Sequence, residues 1–182
     1  FDCGVMISAS HNPFYDNGIK LINGRGEKMD DETIAAIEAY LDGDYAQLGL
    51  EDDVPAAHRE ELGEIVDYVS GRNRYVGYLI SLASHSYKNM RVGLDCANGS
   101  ASRTAAGVFT GLGAQVYIIN ASPDGVNIND GCGSMHVDKL ADYVKANGFD
   151  LGLAFDGDAD RCLAVDSEGD VIDGDVMIAI FA

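Results

Sequence analysis

Short blocks of apolar residues separated by polar, glycine-marked breaks run through the whole chain, and their periods assign most of its elements. From Phe1 to Ile7, Val5 and Ile7 sit among small residues, the pattern of a strand that feeds a tight loop at Ser8-Ala9-Ser10-His11-Asn12-Pro13. Asp16-Asn17-Gly18 reads as a turn, Ile19-Lys20-Leu21-Ile22 as a second short strand and Asn23-Gly24 as another turn. Asp30 and Asp31 open a helix, with Ile34, Ile37 and Leu41 on one face and Gly43 past its end. Residues 44 to 63, acidic and broken by Gly49, Pro55 and Gly63, hold no period and are expected to form a surface excursion. Beyond Gly71 the spacing of Tyr75, Tyr78, Leu79 and Leu82 predicts an amphipathic helix whose aromatic stripe belongs to a core.

From Arg91 onward strands and helices alternate. The expected elements are strand Arg91 to Cys96, turn Asn98-Gly99, helix Ser102 to Leu112, strand Gln115 to Ile119, helix Val137 to Asn147 and strand Asp150 to Phe155. Cys162 to Asp166 and Val171-Ile172 then form a hairpin around Ser167-Glu168-Gly169-Asp170, and a last helix starts near Asp173. Such alternation implies right-handed crossovers and an α/β class with mainly parallel or mixed sheets flanked by helices. The division falls just before the Tyr75 helix, giving residues 1–69 as one domain, truncated, and 70–182 as a second. Residues 120 to 136 are too long for an ordinary strand-to-helix connection, which signals either function or an ordered excursion.

Composition narrows the partners. A formal charge of -18, from 30 acidic and 12 basic residues, opposes binding to a nucleic-acid backbone and favours metal ions. The terminal run Val176 to Ala182 is far short of the roughly 20 apolar residues of a spanning helix, so no membrane partner is expected. Cys3, Cys96, Cys132 and Cys162 show no paired spacing, which suggests neither zinc nor a disulfide framework and fits reduced, cytoplasmic thiols. The chain opens at Phe1 without a Met and stops inside an apolar run, as expected of a piece of a longer protein.

The densest chemistry follows the apolar run Leu151 to Phe155. In Asp156-Gly157-Asp158-Ala159-Asp160-Arg161, three carboxylates alternate with small residues at the exit of a strand, where a turn lets them converge. Unneutralised they repel one another, and an all-oxygen set favours a hard cation such as Mg²⁺ over zinc. A calcium loop of the EF-hand type requires Gly at its sixth and Glu at its twelfth position, where this chain has Arg161 and Ser167. Ligands of α/β sheets sit beyond the carboxyl ends of the strands, which is where Asp156 lies.

The Ser10 loop complements this cluster. A phosphorylated serine carries a charge of about -2 that a cation neutralises, and phosphoryl transfer depends on positioning and charge stabilisation. Arg161 offers a fork to phosphate oxygens, and Lys20 is a candidate to move the hydroxyl proton. Taken singly, Ser10 suits a side-chain turn, His11 a packed loop and Lys20 a solvated strand; their conjunction with the acidic cluster is what points to chemistry.

Ser8-Ala9-Ser10-His11-Asn12-Pro13, Asn17-Gly18-Ile19-Lys20 and Asp156-Gly157-Asp158-Ala159-Asp160-Arg161, in this order and separation, resemble the alpha-D-phosphohexomutase family over essentially the whole chain. Val126-Asn127-Ile128-Asn129-Asp130-Gly131-Cys132-Gly133-Ser134 is similar to the branch that acts on glucosamine phosphates. The resemblance implies two phosphohexomutase-type domains, the first truncated. It implies a phosphoserine at Ser10, with Mg²⁺ held by Asp156, Asp158, Asp160 and the phosphate on Ser10. His11, Lys20 and Arg161 fall on family active-site positions. The implied reaction interconverts glucosamine 6-phosphate and glucosamine 1-phosphate through a bisphosphate. It leaves a homodimer of the full-length enzyme open, and implies that the piece alone is inactive. Alternatives are glucose or mannose phosphate as substrate, a phosphatase of the haloacid dehalogenase type with Asp156 as nucleophile, and a non-catalytic sugar-phosphate or Mg²⁺-binding module.

Overall fold

The computed structural model describes residues 1–51 and 54–182, and the chain divides into two compact units that are not simple halves of the sequence. The first comprises residues 1–7 and 19–67; the second comprises residues 8–18 and 68–182.

In the first unit, β1 (Cys3–Ser8) and β2 (Gly18–Asn23) form a two-stranded sheet. Helix α1 (Asp31–Leu41) starts where the sequence predicts, because Asp30 caps it: one carboxylate oxygen accepts from the Thr33 backbone N–H at 2.8 Å and the other from the Thr33 hydroxyl at 2.9 Å. These bonds favour the ionised carboxyl, and the backbone bond from Thr33 is the main reason that the Asp30 pKa is lowered. Ile34, Ile37 and Leu41 line a groove with Val5, Ile19 and Leu21, yet no residue of α1 is buried. Among the described residues of 44 to 63 the regular structure is two short 3-10 turns, Ala46–Leu48 and Arg59–Glu61, as suits a surface excursion; Asp52 and Asp53 lie outside the described residues.

The second unit is built on a five-stranded sheet. Its strands are β3 (Arg91–Asp95), β4 (Gln115–Ile119), β5 (Leu151–Phe155), β6 (Cys162–Asp166) and β7 (Val171–Ile172), in the order β4-β3-β5-β6-β7. β3 pairs in parallel with β4 and β5, whereas β5-β6 and β6-β7 are antiparallel, so the sheet is mixed, with the hairpin forming one edge.

Strand alternation sends the side chains of β3 and β5 to two faces. On one, Val92 and Leu94 pack with Ala101 and Ala105, and Leu153 and Phe155 join them. On the other, Ala154 and Val165 pack with Leu140 and Val144 of α4 (Val137–Asn147) and with Phe149. Gly152 permits the approach of α4, since a Cβ there would lie 2.6 Å from the Val144 side chain.

Two sequence expectations are corrected. The helix expected from Ser102 to Leu112 is a 3-10 turn, Ser100–Arg103, followed by α3 (Ala105–Gly111), with Thr104 out of helical conformation between them. The mixed sheet is the second of the two arrangements that the alternation of strands and helices allowed. Helix α2 (Val69–Leu82) forms as expected, but its aromatic stripe is not core: Tyr75, Tyr78 and Leu82 are 54, 58 and 62% exposed. The adjoining face turns inward instead, with Val76 against Gly107 and Ile80 against Gly111 of α3, where the small residues admit it. The chain closes with α5 (Gly174–Phe181), capped by the Asp173 carboxylate, which accepts from the Val176 N–H. Among the described residues no helix is long and apolar enough to cross a membrane.

Candidate active site

The serine loop leaves β1 at Ser8, whose hydroxyl accepts from the Ser10 N–H at 2.9 Å. The chain reverses at once: Asn12 N–H donates to the Ala9 carbonyl at 2.8 Å, and Ser10 has φ 52°, a left-handed conformation uncommon for a residue with a side chain. Ser8 is therefore occupied in shaping the loop while Ser10 stands at the turn. Both belong to the second unit, together with the acidic loop.

The acidic loop begins where β5 ends. The Ala159 N–H donates to the Asp156 carbonyl at 3.1 Å and Ala159 has φ 61°, so the chain turns as three alternating carboxylates require in order to converge. One carboxylate oxygen from each of Asp156, Asp158 and Asp160 lies within 4.8 Å of the others. Asp156 is buried, Asp158 intermediate and Asp160 exposed, so the set grades from a fixed floor to an open mouth. Opposed oxygen ligands of a small divalent cation at 2.0–2.1 Å are about 4.2 Å apart, a separation this set reaches with small side-chain adjustments. The donors, all carboxylate, fit Mg²⁺.

Arg161 joins the two loops. Its Nε donates to Asp156 Oδ2 at 3.1 Å and lies 3.7 Å from Asp160 Oδ1. Its Nη2 donates to Ser10 Oγ at 2.9 Å and to His11 Nδ1 at 2.5 Å. An imidazole nitrogen facing a guanidinium N–H is an acceptor, so the His11 proton in this arrangement is on Nε2. His11 Nδ1 is 3.5 Å from Ser10 Oγ.

The backbones meet as closely as the side chains. Gly157 N–H donates to the Ser10 carbonyl at 2.9 Å, and Ser100 N–H donates to the Gly157 carbonyl at 2.9 Å. A Cβ on Gly157 would lie 2.4 Å from the Ser10 carbonyl oxygen, and one on Gly99 would lie 2.2 Å from the Gly157 carbonyl oxygen. Both positions need glycine for close approach.

Of the residues singled out from sequence, Ser10, His11, Asp156, Asp158, Asp160 and Arg161 come together in this unit. Lys20 lies exposed on β2 in the first unit, along the groove with Ile34 and Ile37. Asp156, fully buried and accepting from Arg161, is badly placed to act as the nucleophile of a dehalogenase-type phosphatase. Cys162, beside it, is no nucleophile either: burial, and secondarily the Asp156 charge, push its thiol up to about 11. The sequence reading missed Asn129, whose amide donates to the carbonyls of Ser10 and Asn12, both at 2.8 Å. The excess length of residues 120 to 136 and the family resemblance of Val126 to Ser134 pointed to the segment without singling out this amide.

The curated phosphoglucosamine mutase of Lachnospira eligens is 59% identical over 181 residues, covering 100% of this chain and 39% of the relative. That of Lachnoclostridium phytofermentans is 56% identical over 178 residues, covering 98% and 38%. The chain thus spans well under half the length of these relatives. Among solved structures, a phosphoglucomutase/phosphomannomutase family protein from Burkholderia thailandensis shares the fold, with a TM-score of 0.69 at 24% identity over 99% of this chain and 37% of that one. The family profile for phosphoglucomutase/phosphomannomutase alpha/beta/alpha domain I matches residues 1–47 and that for domain II residues 67–169. With both domain profiles in order and the serine and acidic loops in contact, the chain belongs to the phosphoglucomutase/phosphomannomutase family, the alpha-D-phosphohexomutases.

Proposed function

We propose that the full-length protein interconverts glucosamine 6-phosphate and glucosamine 1-phosphate, with Ser10 as phosphoryl carrier. The observation that carries this reading is the single side chain Arg161, which holds Ser10 Oγ with one nitrogen and the buried Asp156 with another. The names of relatives at 59 and 56% identity favour glucosamine over glucose or mannose.

The reaction balances as two transfers. The C1 hydroxyl of glucosamine 6-phosphate attacks the phosphorus on Ser10; its bond to that oxygen forms as the bond to Ser10 Oγ breaks, giving glucosamine 1,6-bisphosphate and a serine oxygen. The Arg161 Nη2 that donates to Ser10 Oγ stabilises charge as it develops there. After the bisphosphate turns over, Ser10 Oγ attacks the C6 phosphate, the phosphoserine is restored and glucosamine 1-phosphate leaves. Lys20 is the candidate to take and return the hydroxyl proton, and His11, an acceptor of Arg161, keeps the guanidinium oriented. Asp156, Asp158 and Asp160, with the phosphate on Ser10, would hold Mg²⁺, which supplies charge neutralisation when bound. A cytoplasmic location belongs to the same reading, which leaves a homodimer of the full-length enzyme open.

The test is where the phosphate resides. In the full-length enzyme, peptide mapping is expected to find it on Ser10, and Ser10→Ala is expected to abolish turnover. Ser8→Ala removes one loop hydrogen bond, a loss of about 1 kcal/mol, and should leave turnover within several-fold of wild type. Phosphate on Ser8, or full turnover in Ser10→Ala, would require another carrier. Phosphate binding without turnover would favour the non-catalytic module.

A further inference from the structure

We infer that Asn129 is the positioning residue of the serine loop, a clamp that sets where Ser10 Oγ stands and so governs the transfer step without touching the substrate. The inference rests on the phosphoserine reading above. It also gives a purpose to residues 120 to 136, whose length no connection requires.

The clamp has a firm base. Asp95, at the end of β3, is fully buried, and its carboxylate accepts from Ala97 N–H at 3.0 Å, Asn120 Nδ2 at 3.0 Å and Gly133 N–H at 2.9 Å. Both ends of the long connection are thereby tied to one ionisable group that is shielded from water, where such bonds are strong. Midway, Asn129 N–H donates to the Ala97 carbonyl at 2.9 Å. Between the anchors the segment is braced internally, by Asp124 N–H to Asn127 Oδ1 at 3.1 Å and Asn127 Nδ2 to the Ser122 carbonyl at 3.0 Å. It is an ordered excursion that presents one side chain.

That side chain spends both of its amide hydrogens on the serine loop, at the carbonyls of Ser10 and Asn12 that bracket His11. The Ser10 carbonyl also accepts from Gly157 N–H of the acidic loop. Ser10 is therefore held in its left-handed conformation from two sides, and its hydroxyl is aimed at Arg161. Asn129 itself has φ 58°, a conformation Asn tolerates better than most residues. A carboxamide is the group this place needs: two donors on one nitrogen, on a residue that accepts left-handed backbone.

Two variants of the full-length enzyme separate positioning from mere folding. Asn129→Gly keeps the backbone conformation without strain and deletes the amide. Asn129→Asp keeps the shape and turns an acceptor toward two carbonyl oxygens. Each is expected to lower kcat about 10²-fold with KM for glucosamine 6-phosphate changed less than about threefold, as for a small misplacement of a reacting group. Hydrogen exchange should quicken in the peptide covering residues 8–18 and stay unchanged in peptides from β3 and β5. A kcat within twofold of wild type, or unchanged exchange in 8–18, would overturn the clamp. If wild type itself fails to turn over glucosamine phosphates, the functional reading falls instead, and exchange in 8–18 still decides the clamp. Should Asn129→Gly not fold, Asn129→Asp carries the same two measurements.

Discussion

At the scale of single residues, the chain spends its glycines in two ways that substitution will distinguish. Gly157 sits where a Cβ would lie 2.4 Å from the Ser10 carbonyl oxygen and 2.7 Å from Ile128 Cδ1; the Ile128 side chain can swing aside, but the backbone of the serine loop cannot yield cheaply. Gly77, inside α2, has nothing within 4 Å of its added Cβ. Gly157→Ala is therefore expected to destabilise the chain by about 1–3 kcal/mol, as overpacking does. Gly77→Ala should stabilise it by up to about 1 kcal/mol through helix propensity. Urea unfolding of both variants beside wild type measures the difference, and equal effects would contradict the close approach. Ser10, Asp156, Asp158, Asp160 and Arg161 were legible in the sequence because the chemistry is written in residue types at short spacing. Asn129 was not: its partners are 117 and 119 positions away, and nothing local to Ile128-Asn129-Asp130 marks an amide that bonds across such a distance.

At the scale of elements, legibility followed the strength of the local signal. The Asp30 cap fixed the start of α1, and the turn at residues 167 to 170 fixed the hairpin of β6 and β7. In α2 the periodicity was right and the face only partly so: of the expected stripe Leu79 is half-buried while Tyr75, Tyr78 and Leu82 are exposed, and the neighbouring Val76 and Ile80 are the residues that the small Gly107 and Gly111 of α3 admit. The thiols around β3 and β6 report the packing of these elements. Burial is the first cause that pushes Cys96 up to about 12 and Cys132 and Cys162 up to about 11, with Asp95 or Asp156 adding charge repulsion. Their folded pKa values exceed the ordinary 9.0, so the stability they contribute is present below pH 9 and is lost as pH rises through about 11 to 12. At neutral pH a maleimide is expected to label exposed Cys3 rapidly, half-buried Cys162 more slowly, and buried Cys96 and Cys132 only as fast as the protein unfolds. Thermal melts of wild type and Cys162→Ala from pH 8 to pH 11 should diverge above pH 9, and early labelling of Cys96 would contradict the packing described.

At the scale of the whole molecule, charge and completeness set what the 182 residues do by themselves. The net charge of -18 and the three converging carboxylates favour divalent cations, so added Mg²⁺ should raise the melting temperature by a few degrees when well above its dissociation constant. Chelation should reverse the shift and Asp158→Asn should abolish it. The chain spans 39% of its Lachnospira eligens relative, and orientation of a bisphosphate needs contacts to both ends of the sugar, so no mutase turnover is expected from it alone. A coupled assay that detected glucosamine 1-phosphate at enzyme-like rates would contradict this. The two-unit organisation was only partly legible, since the hydrophobic pattern runs continuously from β1 through the serine loop into β2, while packing assigns residues 8–18 to the unit that starts again at Tyr68. Ser10, Asn129 and Gly157 therefore have to match one another although they lie far apart in the sequence. A recombination crossover anywhere between residues 19 and 67 would join the serine loop of one parent to the amide and glycine of another, so chimaeras of divergent relatives should lose activity at such junctions more often than at junctions before residue 8.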